Sequence, residues 1–143
     1  MRPPHAGRAL TFAVRKVRLT MRAAIGEELE AFGLSTSQYA TLMMMTEQHP
    51  GMSIADIARE VASTRQAANE MVAGLEQAGL VERQPHPTDR RTHQIRITEA
   101  GRKTLAEAKL VVARREAELE AAFTPAQGLA IREWLAGIVD ACR

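Results

Sequence analysis

Apolar residues recur every three or four positions through the first part of the chain. This spacing matches the turn of an α-helix, so it predicts an amphipathic helix that ends before Gly33. The members of the stripe are Leu10, Val14, Val17, Met21, Ile25, Leu29 and Phe32. A later stripe, in which Leu105, Val112 and Leu119 recur every seven residues, predicts another long helix that Thr98 caps.

Short polar motifs predict where other helices begin. Ser35 is followed by Gln38, and Ser53 by Asp56, at the three-residue spacing of a capping box. The motif Thr124-Pro125-Ala126-Gln127 adds a proline at the first helical position. The helices that these motifs predict are a second one that runs to His49, a short third one from Ile54 to about Val61, and a last one after residue 124.

Residues 64–97 are predicted to form one more helix, followed by two strands with alternating apolar and polar residues. Thr64 is placed to cap a fourth helix, which ends at Gly79. Two strands are predicted to follow, over Leu80–Gln84 and His93–Ile97, with a loop rich in proline between them. The predicted inner face of the fourth helix consists of Ala68, Met71, Val72 and Leu75.

The order of elements from residue 53 to residue 97 is short helix, tight turn, helix, strand, basic loop and strand. Two helices joined by a tight turn form a helix-turn-helix, and a hairpin behind them makes the unit winged. The outer face of the fourth helix presents Arg65, Gln66, Asn69 and Ala73. Arginine is able to donate two hydrogen bonds to guanine, and an amide side chain matches adenine. This face is either a DNA-reading surface or a solvated helix face, and the wing favours DNA.

The loop between the two predicted strands carries Asp89, Arg90 and Arg91. Asp89 comes two residues before Arg91, so its carboxylate is able to hold the guanidinium by a charge-assisted hydrogen bond and aim it outward. A presented arginine is what a narrow minor groove attracts. Arg90 is the competing candidate for this role, or a phosphate contact.

Composition narrows the classes of function. Aromatic residues make up only 3% of the 143 residues, which argues against a carbohydrate platform or a single-strand binder that stacks bases. The net charge is only +2, although residues 1–22 hold six basic side chains and no acidic one. No apolar run approaches the ~20 residues that cross a bilayer, and no secretory apolar core follows the start. We therefore expect no membrane partner and a cytoplasmic protein.

The sequence offers little for redox, metal or enzymatic chemistry. Cys142 is the only cysteine, so neither an internal disulfide nor a cysteine-based metal cage is expected. The histidines His5, His49, His86 and His93 show no pair at helical ligand spacing. We find no nucleophile–base pair, phosphate loop or paired carboxylates. The expectation is a protein that is not an enzyme and has no metal or cofactor.

Several motifs together resemble the MarR family of winged-helix transcriptional regulators. They are Ser35-Thr36-Ser37-Gln38-Tyr39, Ile57-Ala58, Leu75-Glu76-Gln77-Ala78-Gly79-Leu80-Val81-Glu82-Arg83, Asp89-Arg90-Arg91 and Ile97-Thr98-Glu99-Ala100-Gly101. The resemblance implies a mainly α fold in one domain over 1–143, with a winged helix-turn-helix over 35–98 and dimerisation helices over 9–33 and 99–142. It also implies a homodimer on double-stranded, pseudo-palindromic promoter DNA. By family habit this is a repressor, often relieved by a small aromatic or phenolic ligand.

Carried over position by position, the resemblance assigns site residues. The candidate DNA-binding residues are Ser53, Thr64, Arg65, Gln66, Asn69, Arg90 and Arg91, with Asp89 orienting the wing. The chain departs from the family at Ala67, where threonine is usual, and at His93, where an apolar residue is usual. Alternation puts His93 on a face with Ile95 and Ile97, so we expect a buried neutral histidine or, alternatively, a polar group that lines a pocket.

The second helix supplies candidate effector contacts. Tyr39, Leu42 and Met43 lie on one side of it, between the predicted dimerisation helix and the DNA-binding lobe. A cavity there would be apolar with a phenol hydroxyl for orientation, which is the usual make-up of a small-molecule site. The alternative function is a winged helix that contacts proteins without reading bases.

Overall fold

The computed structural model describes residues 9–47, 51–62 and 64–143. In this part of the chain, the fold consists of six α-helices, a 3-10 turn and a small two-stranded sheet. The elements are α1 (Leu10–Leu29), a 3-10 turn (Glu30–Phe32), α2 (Thr36–Glu47), α3 (Ile54–Val61), α4 (Arg65–Gln77), β1 (Val81–Pro85), β2 (His93–Ile97), α5 (Glu99–Glu120) and α6 (Pro125–Ala141). The predicted end of the second helix at His49 lies outside the described residues, as does His5.

The predicted capping motifs begin the helices. Ser35 Oγ accepts a hydrogen bond from the Gln38 backbone N–H at 3.1 Å, and the Ser35 N–H donates to Gln38 Oε1 at 2.9 Å. Ser53 and Asp56 make the same reciprocal pair, with both distances 3.1 Å. The motif over 124–127 also forms a capping box. These caps satisfy backbone donors that a helix leaves free, so each helix start is determined locally.

Glycines with positive φ end α1 and α4. Gly33 has φ 66° and follows the 3-10 turn, so the last turn of the predicted first helix is tighter than an α-helix. Gly79 has φ 76°, and the Leu80 N–H donates to the Leu75 carbonyl at 3.0 Å. This confirms the Schellman ending predicted for the fourth helix. The backbone N–H of Leu80 belongs to this helix ending, so the first strand begins one residue later than predicted.

The two strands form an antiparallel hairpin, with register from Val81↔Ile97 to Pro85↔His93. Met52, just before α3, pairs with Ile95 through two backbone hydrogen bonds of 3.1 and 2.7 Å. This bridge ties the hairpin to the start of the helix-turn-helix. The wing therefore has a fixed position relative to α3 and α4.

His93 is exposed, so the prediction that it is a buried histidine is wrong. It shares a face with Ile95, which is fully buried, but its pair with Pro85 is the last one before the loop. Alternation determines which face a residue occupies, whereas burial depends on whether a helix covers that point of the face. At His93 the face opens into a cleft, and the alternative prediction, a polar group lining a pocket, is confirmed.

One apolar core joins the helices to the hairpin. Its fully buried large side chains include Leu29, Leu42, Ile57, Leu75, Ile95 and Leu105. Apolar side chains on α1, α5 and α6 remain exposed, among them Val17, Leu110, Leu129, Trp134 and Val139. Leu119, the third member of the predicted stripe on α5, is also exposed. Within the described ranges, no helix is long and apolar enough to span a membrane.

Candidate nucleic-acid interface

The two faces of α4 differ sharply. Ala68, Val72 and Leu75 are buried against the rest of the lobe, while Met71 is half-buried. Arg65, Gln66, Asn69 and Ala73 are exposed on the opposite side, as predicted. The helix start is held by Thr64, whose Oγ1 accepts from the Ala67 N–H at 3.0 Å. The exposed stripe therefore sits on a rigid, well-capped helix.

Among the residues that the structure describes, the amides of Gln66 and Asn69 find hydrogen-bond partners in their own helix. Asn69 Nδ2 donates to the Arg65 carbonyl at 3.1 Å, and Gln66 Nε2 donates to Glu70 Oε1 at 3.3 Å. Both bonds lie at the exposed surface. Because water readily replaces such bonds, the amides can exchange them for hydrogen bonds to a base edge.

In the wing loop, Asp89 holds the side chain of Arg91. Asp89 Oδ1 accepts from the Arg91 backbone N–H at 3.0 Å and from Arg91 Nε at 3.2 Å. These two bonds lower the pKa of the Asp89 carboxyl below its ordinary value, and the bond from the backbone N–H has the larger effect. The Arg91 side chain is nevertheless 89% exposed, so its remaining donors point to solvent. The predicted Asp89–Arg91 arrangement is thus present, while Arg90 is exposed and forms no ion pair with any described residue.

A histidine that the sequence analysis did not assign shapes the same loop. His86 Nδ1 accepts from the backbone N–H groups of Thr88 at 3.2 Å and Asp89 at 3.0 Å. The imidazole therefore fixes the turn that carries Asp89. Its signal was the Pro-His-Pro sequence, which predicted a loop but not the acceptor role.

A cleft of about 190 Å³ lies between the start of α3, the exposed side of α4 and the hairpin. Four predicted DNA-binding residues line it: Ser53, Arg65, Asn69 and Arg91. Arg83 and Thr92 line it as well and were missed, since only the fold of the hairpin places them there, while His93 lines it as the alternative prediction stated. Thr64, Gln66 and Arg90 are not among its lining residues.

The predicted effector residues Tyr39, Leu42 and Met43 lie at different depths in the described part of the chain. Leu42 is fully buried in the core, and Met43 is half-buried beside it. Burial raises the pKa of the Tyr39 phenol above its ordinary value, and the Glu116 carboxylate on α5 raises it further. Neither hollow that opens along α1 is lined by these three residues.

Two adjoining hollows, of about 410 and 440 Å³, form one groove where α1 crosses the starts of α2 and α4 and the end of α3. Both are lined by Arg18, Arg22, Ser37 and Val61. Neither arginine is paired with an acid in the described part of the chain, although Glu60 lies at the rim. The groove thus joins a cationic wall to an apolar one.

A capped helix with an exposed polar stripe, followed by a hairpin that presents an arginine, defines a winged helix-turn-helix of the DNA-binding class. The MarR family model matches residues 32–92. HTH-type transcriptional repressor Rv2887 of Mycobacterium tuberculosis is 30% identical over 118 residues, which is 82% of this chain and 84% of the relative. The chain therefore belongs to the MarR family, and it is a DNA-binding transcriptional regulator rather than an enzyme.

Solved structures agree with this assignment. The transcriptional repressor CouR bound to a 23-mer DNA duplex is 28% identical with a TM-score of 0.85, over 97% of this chain and 98% of CouR. CouR from Rhodococcus jostii RHA1 bound to p-coumaroyl-CoA is 25% identical with a TM-score of 0.80, over 96% and 95% of the two chains. The mainly α fold with a two-stranded wing, predicted from the sequence, is confirmed.

Proposed function

We propose that this protein is a cytoplasmic, homodimeric repressor that binds pseudo-palindromic promoter DNA. In this proposal α4 enters the major groove, where Arg65, Gln66 and Asn69 reach base edges, and Arg91 enters the adjacent minor groove. The observation that carries it is the placement of the α4 stripe and the aimed Arg91 on two sides of one cleft. Ser53, Thr64 and Arg90 are assigned to the phosphate backbone, which positions the protein without reading sequence.

The homodimer is supported by the apolar side chains left exposed on α1, α5 and α6. Contiguous apolar surface of this kind is typical of an interface rather than of a free surface. We assign helices over 9–33 and 99–142 to dimerisation and residues 35–98 to the DNA-binding lobe. A two-fold dimer would present its two α4 helices to half-sites about one DNA turn apart.

Selection from a pool of random duplexes tests this function. The protein is expected to enrich an inverted repeat with half-sites about 10 base pairs apart, centre to centre. Binding should weaken steeply with salt, because phosphate contacts release counterions. A winged helix that contacts only proteins would enrich no DNA sequence. That outcome would contradict the repressor and favour the second function, a protein-interaction module.

We further propose that the groove along α1 binds the effector, and that the effector carries an acidic group on an apolar body. Arg18 and Arg22 supply unpaired guanidinium groups, and Met21, Ile25 and Val61 supply an apolar wall. A planar guanidinium suits a carboxylate because it binds both oxygens at once. The groove borders α1 and the turn into α4, so an occupant there is placed to alter the spacing of the two recognition helices.

Operator release tests the effector proposal. A panel of aromatic carboxylic acids, their neutral amides, zinc and peroxide is titrated into the complex with the selected duplex. The acids are expected to weaken binding by about 5- to 150-fold, the range of ordinary allosteric coupling. The double variant Arg18→Gln/Arg22→Gln should lose this response, while Arg15→Gln on the same helix should keep it. Equal potency of the amides, or release by peroxide that Cys142→Ser abolishes, would contradict the proposal.

A further inference from the structure

The side chain of Gln38 contacts two helices at once. Its Oε1 accepts a hydrogen bond from the Ser35 N–H at 2.9 Å, which is the contact that caps α2. Its Nε2 donates to the backbone carbonyl of Met71 on α4 at 3.5 Å. The capping motif predicted the first contact but not the second. A bond of 3.5 Å is long, so the second contact matters for the position of α4 more than for stability.

Gly74 lets the amide of Gln38 reach the backbone of α4. A Cβ at this position would lie 3.0 Å from Gln38 Nε2, which is closer than an ordinary van der Waals contact. Glycine in a helix interior is less stable than alanine, because it loses more conformational freedom on folding. Gly74 therefore lowers the stability of α4 and in return leaves room for the amide.

Met71 is contacted a second time from α2. Thr41, one turn after Gln38, is fully buried, and its Oγ1 lies 3.5 Å from Met71 Sδ. The same hydroxyl donates to the Ser37 carbonyl at 2.8 Å, so its position on α2 is fixed. The second helix thus contacts both the backbone and the side chain of one α4 residue. These two contacts determine the rotation of α4 about its own axis at Met71.

Rotation of α4 affects base contacts more than phosphate contacts. Side-chain ends lie about 5–6 Å from a helix axis, so a rotation of ~10° moves them by about 1 Å. A hydrogen bond to a base edge spans about 2.9 Å and weakens steeply over such a displacement. The attraction between a guanidinium and a phosphate falls off only with the inverse of distance. This step rests on the proposed function, because it takes from it that α4 reads bases.

We propose that Gln38 is a positioning residue for DNA recognition, whose amide holds α4 at the rotation from which Gln66 and Asn69 reach base edges. It does so without touching DNA itself, through the Met71 carbonyl and the space that Gly74 leaves. Loss of this link lowers the preference for the selected duplex. The stability of the fold and the affinity for DNA of any sequence change much less.

Gln38→Glu separates the two contacts of the amide. A carboxylate still accepts from the Ser35 N–H, as in an ordinary capping box, but it has no N–H to donate to the Met71 carbonyl. The measurement is the ratio of affinities for the selected duplex and for a scrambled duplex of equal composition, at one salt concentration. The added negative charge weakens both duplexes alike and cancels in this ratio.

The ratio is expected to fall by about threefold to tenfold per half-site, the net value of one hydrogen bond. The midpoint of urea denaturation should stay at the wild-type value, because the cap is kept. Gln127→Glu is the matched control. Gln127 Oε1 accepts from the Thr124 N–H at 2.9 Å in the capping box of α6, so the same change of charge is made away from α4. This variant should keep the wild-type ratio.

Gly74→Ala tests the same link without a change of charge. The new methyl group crowds the amide of Gln38, so the ratio should fall by a similar factor, while the higher helix propensity of alanine keeps or raises the urea midpoint. Gly26→Ala, whose Cβ would lie 4.0 Å from Thr36 Cγ2, should keep the wild-type ratio. A purely structural role of Gln38 does not predict a variant that is as stable as the wild type but less specific.

Two results would overturn the inference. One is a wild-type ratio in both Gln38→Glu and Gly74→Ala, and the other is a fall in the ratio that Gln127→Glu reproduces. A wild-type protein that binds the two duplexes equally would instead contradict the proposed function.

Discussion

In the proposed function, the reading of DNA sequence depends on the amide side chains of Gln66 and Asn69. Both are exposed on α4, and the amide nitrogen of each donates a hydrogen bond to another residue of that helix. An amide that presents a donor and an acceptor side by side matches the N6 and N7 atoms of adenine. Their bonds in the free protein hold each amide close to the helix axis without burying it.

We predict that Gln66→Ala and Asn69→Ala each weaken binding to the selected duplex by about 1–3 kcal/mol per half-site, the value of a good bidentate pair. Binding to a scrambled duplex should hardly change, since neither side chain is needed for phosphate contacts. Anisotropy titrations with both duplexes measure this. Equal weakening on the two duplexes would mean that these amides do not read bases.

The wing gives a second prediction at this scale. Arg91→Ala should lower the salt slope by about one unit per protomer, and Asp89→Ala should reproduce part of the affinity loss because the guanidinium is no longer aimed. Asp89→Asn keeps the Oδ1 acceptor and should bind nearly as well as the wild type. An Asp89→Ala variant with wild-type affinity would show that Arg91 needs no orienting partner.

The sign of the Asp89 pKa shift limits what pH does to the wing. Its pKa lies below the ordinary value of 3.8, so its bonds to Arg91 are present above that value and are lost only as pH falls through the lowered one. From pH 6 to pH 8 the carboxylate stays ionised. The bonds between Asp89 and Arg91 are therefore expected to be unaffected by pH in that window.

The role of a residue could be predicted from the sequence where that role depends on residues nearby in the chain. The Asp89–Arg91 pair and the cap at Thr64 involve residues two or three positions apart, so the motif already contains the geometry. Arg83 was not predicted, because its position in the cleft depends on the hairpin register and on the helix across from it. No local pattern carries that information.

The junction between the hairpin and α5 is the most constrained point among the elements. Thr98 Oγ1 donates to the Gly79 carbonyl at 2.6 Å and accepts from the Gly101 N–H at 3.0 Å. A Cβ on Gly101 would overlap the Leu80 carbonyl oxygen and lie 2.7 Å from Ile97 Cγ1. The start of α5 is therefore pressed against both ends of the wing.

Gly101→Ala is predicted to lower the free energy of unfolding by roughly 1–3 kcal/mol, because the packed backbone must move to admit a methyl group. Gly26→Ala is the matched control, since its Cβ would meet only Thr36 Cγ2 at an ordinary 4.0 Å. That change should be neutral or stabilising in a helix interior. Urea denaturation of both variants decides the matter, and equal stability would contradict the tight junction.

At the scale of elements, the sequence predicted the helices well because caps and apolar spacing are local. The start of α3 at Ile54 and its end at Val61 were both anticipated. The first strand was displaced by one residue, since Leu80 completes the ending of α4. The groove with Arg18 and Arg22 was not predicted, because only the packing of α1 against α2 creates it.

For the whole molecule, we predict a dimer with twice the chain mass of 15.7 kDa in sedimentation equilibrium at low micromolar concentration. The reason is the apolar surface exposed on α1, α5 and α6. Trp134→Glu places a charge on that surface and should shift the protein towards monomer, whereas Glu133→Gln on the same helix should not. A wild-type monomer at this concentration would contradict the proposed dimer, in which each protomer presents one α4 helix to the DNA.

The central claim is that this protein reads the sequence of double-stranded DNA. The most direct measurement is the ratio of its affinities for the selected duplex and for a scrambled duplex at the same salt and pH. Specific recognition predicts a ratio of at least about 10³, which is the lower end for sequence-specific regulators. Equal affinity for the two duplexes would contradict the claim, even if both were bound tightly, because phosphate contacts alone account for binding without sequence preference.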